Sequence, residues 1–244
     1  MTQVISSFIL RNIKYIPYFF TKEFLPHDTD RNYALLGKLS ASILHDILTP
    51  ISSLSLASEL TTDSQEQIKP IIKESTDQIK EYVDIMKDFL SSEKTQGNIH
   101  INVEVLKCMK LIKYKAHQHG VQIQFIEFDQ IYTQINPLYI YQIVINLLSN
   151  AIEASINSPT KKVILILKKD SDNFNLECKD FGCGMSAQTK RDIFKPHFTT
   201  KDSNNGLGLF SVKQIVSSCL HGNISVQSEP DTGSLFCCTI PLLK

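Results

Sequence analysis

Residues 36–56 read LGKLSASILHDILTPISSLSL. Leu36, Leu39, Ile43, Ile47 and Leu54 recur at spacings of three, four, four and seven, which makes them one stripe along a helix. At about 100° per residue, His45 points away from that stripe, and Thr49, one turn on, shares its outward face. Pro50 removes an amide donor inside the helix, so a bend is expected at the next turn. The helix thus buries one face and offers an imidazole on the other, flanked by Asp46 and Thr49.

Working outward, residues 31–60 read as one long helix, and the polar run 61–64 as a turn that caps the next. That second helix extends to about residue 91, with Ile72, Ile79 and Met86 seven apart and Ser75, Tyr82 and Phe89 between them. Two antiparallel amphipathic helices cannot hide their stripes alone. Pairing with a second copy makes a four-helix bundle, so a homodimer is expected. Upstream, Val4, Ile5, Phe8, Ile9, Ile13 and Ile16 share a helical face within residues 1–32. This segment reads either as a lead-in packed on the next helix or as a membrane-surface anchor; it is too short and too interrupted to span.

The chain has 244 residues, room for one large or two small domains, and its 25 basic and 25 acidic residues balance. No basic block points to nucleic acid. The six cysteines show no CxxC spacing and no neighbouring histidine cluster, which argues against structural zinc and for a reduced, cytoplasmic protein.

Residues 91–98, SSEKTQGN, read as a linker. Beyond it strands and helices alternate: a short strand at 100–103, a helix at 104–119, strands at 121–128 and 131–135, and a helix at 137–156. Strands at 163–167 and 174–179 follow, then a glycine-containing segment, 181–205, long enough to suggest a lid. A helix at 207–220 and strands at 223–228 and 235–240 close the chain. The fold class expected is α+β: a helical hairpin followed by an α/β two-layer sandwich, with helices on one face of a mixed sheet.

Four motifs in this second part carry chemistry. In NLLSNAIEA (146–154), Asn146 and Asn150 lie one turn apart, so their amide oxygens can share a hydrated Mg²⁺; alone, they are two surface amides. In DFGCGM (180–185), the carboxylate of Asp180 can accept a hydrogen bond from an exocyclic amine such as that of adenine. Gly182 and Gly184 let the backbone approach the base; the plain alternative is a glycine turn. In IFKPHFTTK (193–201), aromatics and a proline can pin a lid while Lys201 reaches phosphate charge. In NGLGLFSVKQIV (205–216), Gly206 and Gly208 precede a helix, whose free amides favour phosphate.

HDILTP (45–50) resembles the H-box of sensor histidine kinases, and the four later motifs resemble the N, G1, F and G2 boxes of that family's Bergerat-fold ATP-binding domain, in order. HGNISVQSEPDTGSLF (221–236) is similar to its closing hairpin, with Thr232 and Gly233 in the turn. The wording of TTK, GLGL and NAIEA looks most like the nitrogen-regulation subgroup. The resemblance covers residues 33–244 and implies a dimerisation and phosphotransfer domain at 33–95 and a catalytic domain at 99–244. It implies ATP and Mg²⁺ as cofactors, a homodimer, and a response-regulator receiver as partner. By this match His45 accepts phosphate, Asp46 handles its second proton, and Thr49 supports dephosphorylation of the partner. Asn150 and Asn146 hold the metal; Asp180 reads adenine; Gly182, Gly184, Met185, Phe198, Lys201, Gly206, Leu207, Gly208, Leu209 and Thr232 complete the nucleotide site. Departures from the pattern are Leu48 for a polar residue, His197 for a second aromatic, Asn223 for glycine, and Asp46 for the commoner glutamate. The rival readings are another ATPase of the same fold, or a non-enzymatic phosphotransfer or scaffold dimer with a degenerate nucleotide domain.

Overall fold

The computed structural model describes residues 98–199 and 206–242, together with positions 51, 54, 69, 70, 72–77, 79, 80, 83 and 84. The N-terminal segment 1–32, most of the helix expected at 31–60, the turn at 61–64, the residues His45, Asp46, Thr49 and Lys201, and nearly all of the linker lie outside the described residues.

The chain divides into two compact units, residues 1–87 and 88–244. In the first, every described residue is helical. Thr76 returns its hydroxyl to the Ile72 carbonyl one turn back, at 2.7 Å. Ser75 is buried, whereas Ile51, Ile72 and Val83 remain exposed. Part of the expected apolar stripe is therefore uncovered within a single chain.

The second unit is a two-layer sandwich. It begins with β1 (Ile99–His100) and α1 (Ile101–Gln118), followed by β2 (Gln122–Glu127), β3 (Tyr132–Thr133) and α2 (Pro137–Ser155). Next come β4 (Lys162–Lys169), β5 (Asn173–Asp180), α3 (Ala187–Asp192) and α4 (Gly208–Gln214), which runs into a π-helical turn, Ile215–Cys219. The hairpin β6 (Asn223–Glu229) and β7 (Gly233–Pro241) ends it. The main sheet has the order β2-β4-β5-β7-β6, with β2 parallel to β4 and the other pairs antiparallel. Strict alternation puts Val163, Leu165, Leu167, Leu176, Cys178, Cys238 and Ile240 on the buried face, while Ile164, Ile166, Asn175 and Glu177 are only half covered. Helices therefore cover one face of a mixed sheet, as expected.

The central element is α2. Asn136 caps it, its side-chain oxygen accepting the Leu138 N–H at 2.9 Å, and Pro137 occupies the first turn, where no amide donor is needed. Leu138, Ile140, Ile143, Val144, Leu147, Leu148, Ala151 and Ile152 are all buried, so the helix is enclosed on most sides. Its one half-buried stripe contains Asn146 and Asn150.

Two elements differ from expectation. The strand expected at 100–103 pairs with β3 for two residues only, Ile99 with Thr133 and His100 with Tyr132, and helix starts at Ile101. The Asn102 side chain donates to the Asp129 carbonyl at 2.9 Å and accepts the Ile131 N–H at 3.0 Å, tying the helix start to a distant loop. Ile101, Val105, Cys108 and Ile112 are then buried on one helical face. Within the segment 181–205, where no element is expected, α3 forms behind Ser186, whose hydroxyl accepts the Thr189 N–H at 3.1 Å.

Candidate functional site

At one end of α2, β5 delivers Asp180 to the inner face of the sheet, 2% exposed. Its Oδ1 accepts the N–H of Gly182 at 2.9 Å and of Ser234 at 3.2 Å. Two backbone donors fix the orientation of the carboxylate. The loop beyond it is pressed between α2 and the β6–β7 turn. A Cβ at Gly182 would stand 2.3 Å from the Ala154 carbonyl oxygen, and one at Gly184 would stand 1.9 Å from that of Glu229. Gly184 also has φ +62°, a conformation that side chains disfavour. Backbone bonds close the seam: Cys183 N–H to the Ala154 oxygen at 3.3 Å, and Asp231 N–H to the Cys183 oxygen at 2.8 Å. Ser158 Oγ donates to the Phe181 carbonyl at 2.5 Å. Met185 follows, half-buried. Thr232 stands in the adjoining turn, exposed, its hydroxyl given to the Glu229 carbonyl at 2.9 Å.

Two turns back along α2, the second end is built differently. Asn146 donates its amide nitrogen to the Gln142 carbonyl at 2.7 Å, which turns Oδ1 toward the glycine segment. A Cβ at Gly208 would come within 2.8 Å of that oxygen. Gly206, at φ +64°, presses on the backbone of His197 and Phe198; a Cβ there would meet Phe198 N at 2.7 Å. Leu207 and Leu209 flank the start of α4, half-buried. Phe198 is half-buried, and its N–H reaches the Lys195 carbonyl at a long 3.4 Å. His197 is exposed with φ +61°. The Lys213 ammonium lies 5.6 Å from the Phe194 ring centroid, joining this segment to α4. Asn150, between the two ends, makes no side-chain hydrogen bond to any described residue.

The fold thus sets Gly182, after the buried Asp180, against Ala154 of α2 and Gly208 against Asn146 of α2, with Gly184 packed on the turn that carries Thr232 and Gly206 packed on Phe198; Asn150 lies on α2 between them, Met185 follows Gly184, and Leu207 and Leu209 adjoin Gly208. Ala154, whose carbonyl floors the Asp180 loop, and the Ser234 amide that holds Asp180 were missed in the sequence. Ala154 ends the NAIEA wording and marks a close approach; Ser234 carries no signal, since its part is played by backbone.

Two family models match the chain. The His Kinase A (phospho-acceptor) domain covers residues 35–95, and the histidine kinase-, DNA gyrase B-, and HSP90-like ATPase covers residues 135–244. Residues 35–95 and 135–244 thus match the phospho-acceptor and ATPase domains of histidine kinases. The chain is 26% identical over 212 residues to the sensor protein DegM of Bacillus sp. (strain B21-2), covering 85% of this chain and 55% of the relative. With sporulation kinase E of Bacillus subtilis (strain 168) it shares 30% identity over 218 residues, 85% of this chain and 29% of the relative. The chain therefore spans about half or less of these curated relatives. Among solved structures, the catalytic domain of histidine kinase ThkA superposes with a TM-score of 0.54 at 23% identity, covering 60% of this chain and 95% of that one. ThkA in complex with the response regulator TrrA gives 0.52 at 22% identity, covering 88% and 64%. Among the described residues, no helix is long and apolar enough to cross a membrane.

Proposed function

We propose that this chain is the core of an ATP-dependent protein-histidine kinase, most like the nitrogen-regulation subgroup, that phosphorylates its own His45 and passes the phosphoryl group to an aspartate of a response-regulator receiver. The observation that carries the reading is the two-ended stripe of α2. A fixed carboxylate stands over a glycine cradle at one end, and an outward amide oxygen faces a second glycine cradle at the other. Gly182 and Gly184 let their loop lie directly on the Ala154 and Glu229 carbonyls, and Gly208 lets the start of α4 lie on the Asn146 oxygen; on this reading the first loop takes the base and the second, at a helix start, the phosphates. Asp180 accepts from the base amine, and the expected lid, 181–205, folds over the phosphates. Asn150, supported by Asn146, offers amide oxygen to Mg²⁺, which when bound neutralises phosphate charge.

In the transfer, one ring nitrogen of His45 bonds the γ-phosphorus as the bond to the β–γ bridging oxygen breaks and ADP leaves. Asp46 takes or orients the proton on the other nitrogen, keeping the imidazole nucleophilic. Positioning and charge neutralisation supply most of the rate. A homodimer completes the helical unit; the exposed Ile51, Ile72 and Val83 support this. The similarity to ThkA, a histidine kinase solved in complex with the response regulator TrrA, supports a receiver as partner. Thr49, one turn after His45, orients water for the reverse hydrolysis of the regulator.

The test is incorporation of label from γ-labelled ATP. His45→Gln abolishes acid-labile labelling and leaves nucleotide binding intact; label persisting in the variant moves the acceptor elsewhere. Thr49→Ala loses phosphatase activity with autophosphorylation preserved, and equal loss of both assigns Thr49 to helix geometry instead.

A further inference from the structure

The two edges of the five-stranded sheet are finished differently. β6 forms one edge, and there the Lys190 ammonium of α3 donates to the Ser228 carbonyl at 2.6 Å, setting a charge on the strand's backbone. β2 forms the other with QIQFIE, which has neither lysine nor proline. Gln122 donates its N–H to the Lys161 carbonyl at 2.8 Å and Phe128 to the Leu167 carbonyl at 3.0 Å, so the even-numbered residues of this parallel ladder aim their backbone at β4. The odd-numbered ones aim outward. Val121 gives its N–H to the Ala116 carbonyl at 2.8 Å, but the outward N–H and C=O groups of Ile123, Phe125 and Glu127 bond no described residue.

An edge of this kind takes an extended strand. Its own sequence fits it. Antiparallel pairing about Phe125 sets that residue opposite the partner's Phe125, Ile123 opposite the partner's Glu127, and Gln124 opposite the partner's Ile126. In this register every open N–H meets an open C=O, and no like charges stand opposite each other. β2 begins beside Lys162, its register partner on β4, and runs toward Glu127 and Asp129. Antiparallel copies therefore bring the acidic end of each toward the basic end of the other, whereas parallel copies set like ends together. Ile123 and Phe125 are half-buried, and Phe128, 69% exposed, falls opposite the partner's Gln122. Pairing covers apolar side chains that a single chain leaves in water.

We infer that the β2 edge is a docking surface for β2 of a second copy of this chain, antiparallel and centred on Phe125, so that one sheet continues through both copies. The contact is separate from the pairing of helical units and from the nucleotide site.

Disulfide trapping in the full chain tests it. Opposed Gln124 and Ile126 form a pair without mutual backbone bonds, with Cα atoms about 4.5 Å apart, inside disulfide reach. Each residue lies about 8 Å from its own copy in the partner, outside that reach. The double variant Gln124→Cys, Ile126→Cys gives a covalent dimer under mild oxidation, whereas either single variant stays at the level of the wild type treated alike. Adding Ile123→Pro to the double variant abolishes the covalent dimer, because it removes an outward N–H and leaves the β4 ladder whole. Should that variant not fold, the contrast between double and single variants decides alone. No covalent dimer from the double variant overturns the inference, and bridging by Gln124→Cys alone overturns the register. Slow hydrogen exchange at Ile123, Phe125 and Glu127 without any cross-link assigns the edge to a different strand and overturns the second copy as its occupant.

Discussion

On the reading proposed above, with the base at one end of the α2 stripe and the phosphates at the other, the two ends are held differently. At the base end, Asp180 holds two backbone N–H groups, and Gly182 and Gly184 are packed so closely that a Cβ would overlap backbone carbonyls at 2.3 and 1.9 Å. Backbone cannot yield, so this end is formed before any ligand arrives. At the phosphate end Gly206 is likewise pressed on backbone, that of His197 and Phe198, but the nearest group to a Gly208 Cβ is a side-chain oxygen, the Phe198 N–H bond is long, and Asn150 is bonded to no described residue. A flat, rigid base suits a fixed slot. A charged, hydrated triphosphate that must be gripped and then released as diphosphate suits side chains whose hydrogen bonds are still to be made.

The comparison breaks most visibly at the base end. Gly184→Ala is expected to destabilise the nucleotide-binding unit by at least about 3 kcal/mol, combining a left-handed residue with backbone overlap. Thermal or urea unfolding measures it; a shift below about 1 kcal/mol means the loop is not rigid. Asp180→Ala leaves two buried donors without an acceptor and costs about 3 kcal/mol, together with adenine binding. Asp180→Asn keeps an oxygen for both donors, so its unfolding free energy stays within about 1 kcal/mol of wild type while ATP loses its preference over GTP. Equal destabilisation by both variants would mean that charge, not the acceptor, holds the loop.

At the phosphate end the order reverses, with function more sensitive than stability. Asn150→Ala lowers Mg²⁺-dependent nucleotide affinity by about 10- to 100-fold and leaves unfolding within about 0.5 kcal/mol. Titration of ATP with and without Mg²⁺ reads this directly. Gly208→Ala pushes against a movable amide and gives a smaller loss, about tenfold in affinity, with stability within about 1 kcal/mol. A large stability loss there would make the two ends alike.

The smallest effect sharpens the comparison chemically. Cys183 is exposed between the two glycines of the base loop, whereas Cys108, Cys178 and Cys238 are buried, and burial raises all three thiols, Cys238 to about 12. A thiol reagent should modify Cys183 in the folded protein and reach the buried three only on unfolding, with bound ADP slowing the Cys183 reaction severalfold. Unchanged labelling with ADP would place the base away from this loop.

Much of this architecture follows from local pattern. The alternation from Val163 to Leu167 and the capped, apolar run after Asn136 need only a strand's period of two and a helix's period of 3.6, which neighbouring residues impose on each other. The paired glycines and Asn146, Asn150 and Asp180 were legible as residue types at spacings that suit a nucleotide. What tertiary structure decided are the contacts between residues far apart in the chain. Residues 100–103, His-Ile-Asn-Val, read as a strand, yet helix starts at Ile101, where Asn102 bonds Asp129 and Ile131. Asp180 is fixed by the Ser234 amide, 54 residues on, a bond that no side-chain identity announces. Lys115 and Glu153, 38 apart, look like unrelated surface charges until α1 and α2 lie side by side. Periodicity acts along the chain and can be read there; hydrogen bonds and ion pairs between elements depend on distances that exist only after the layers have packed.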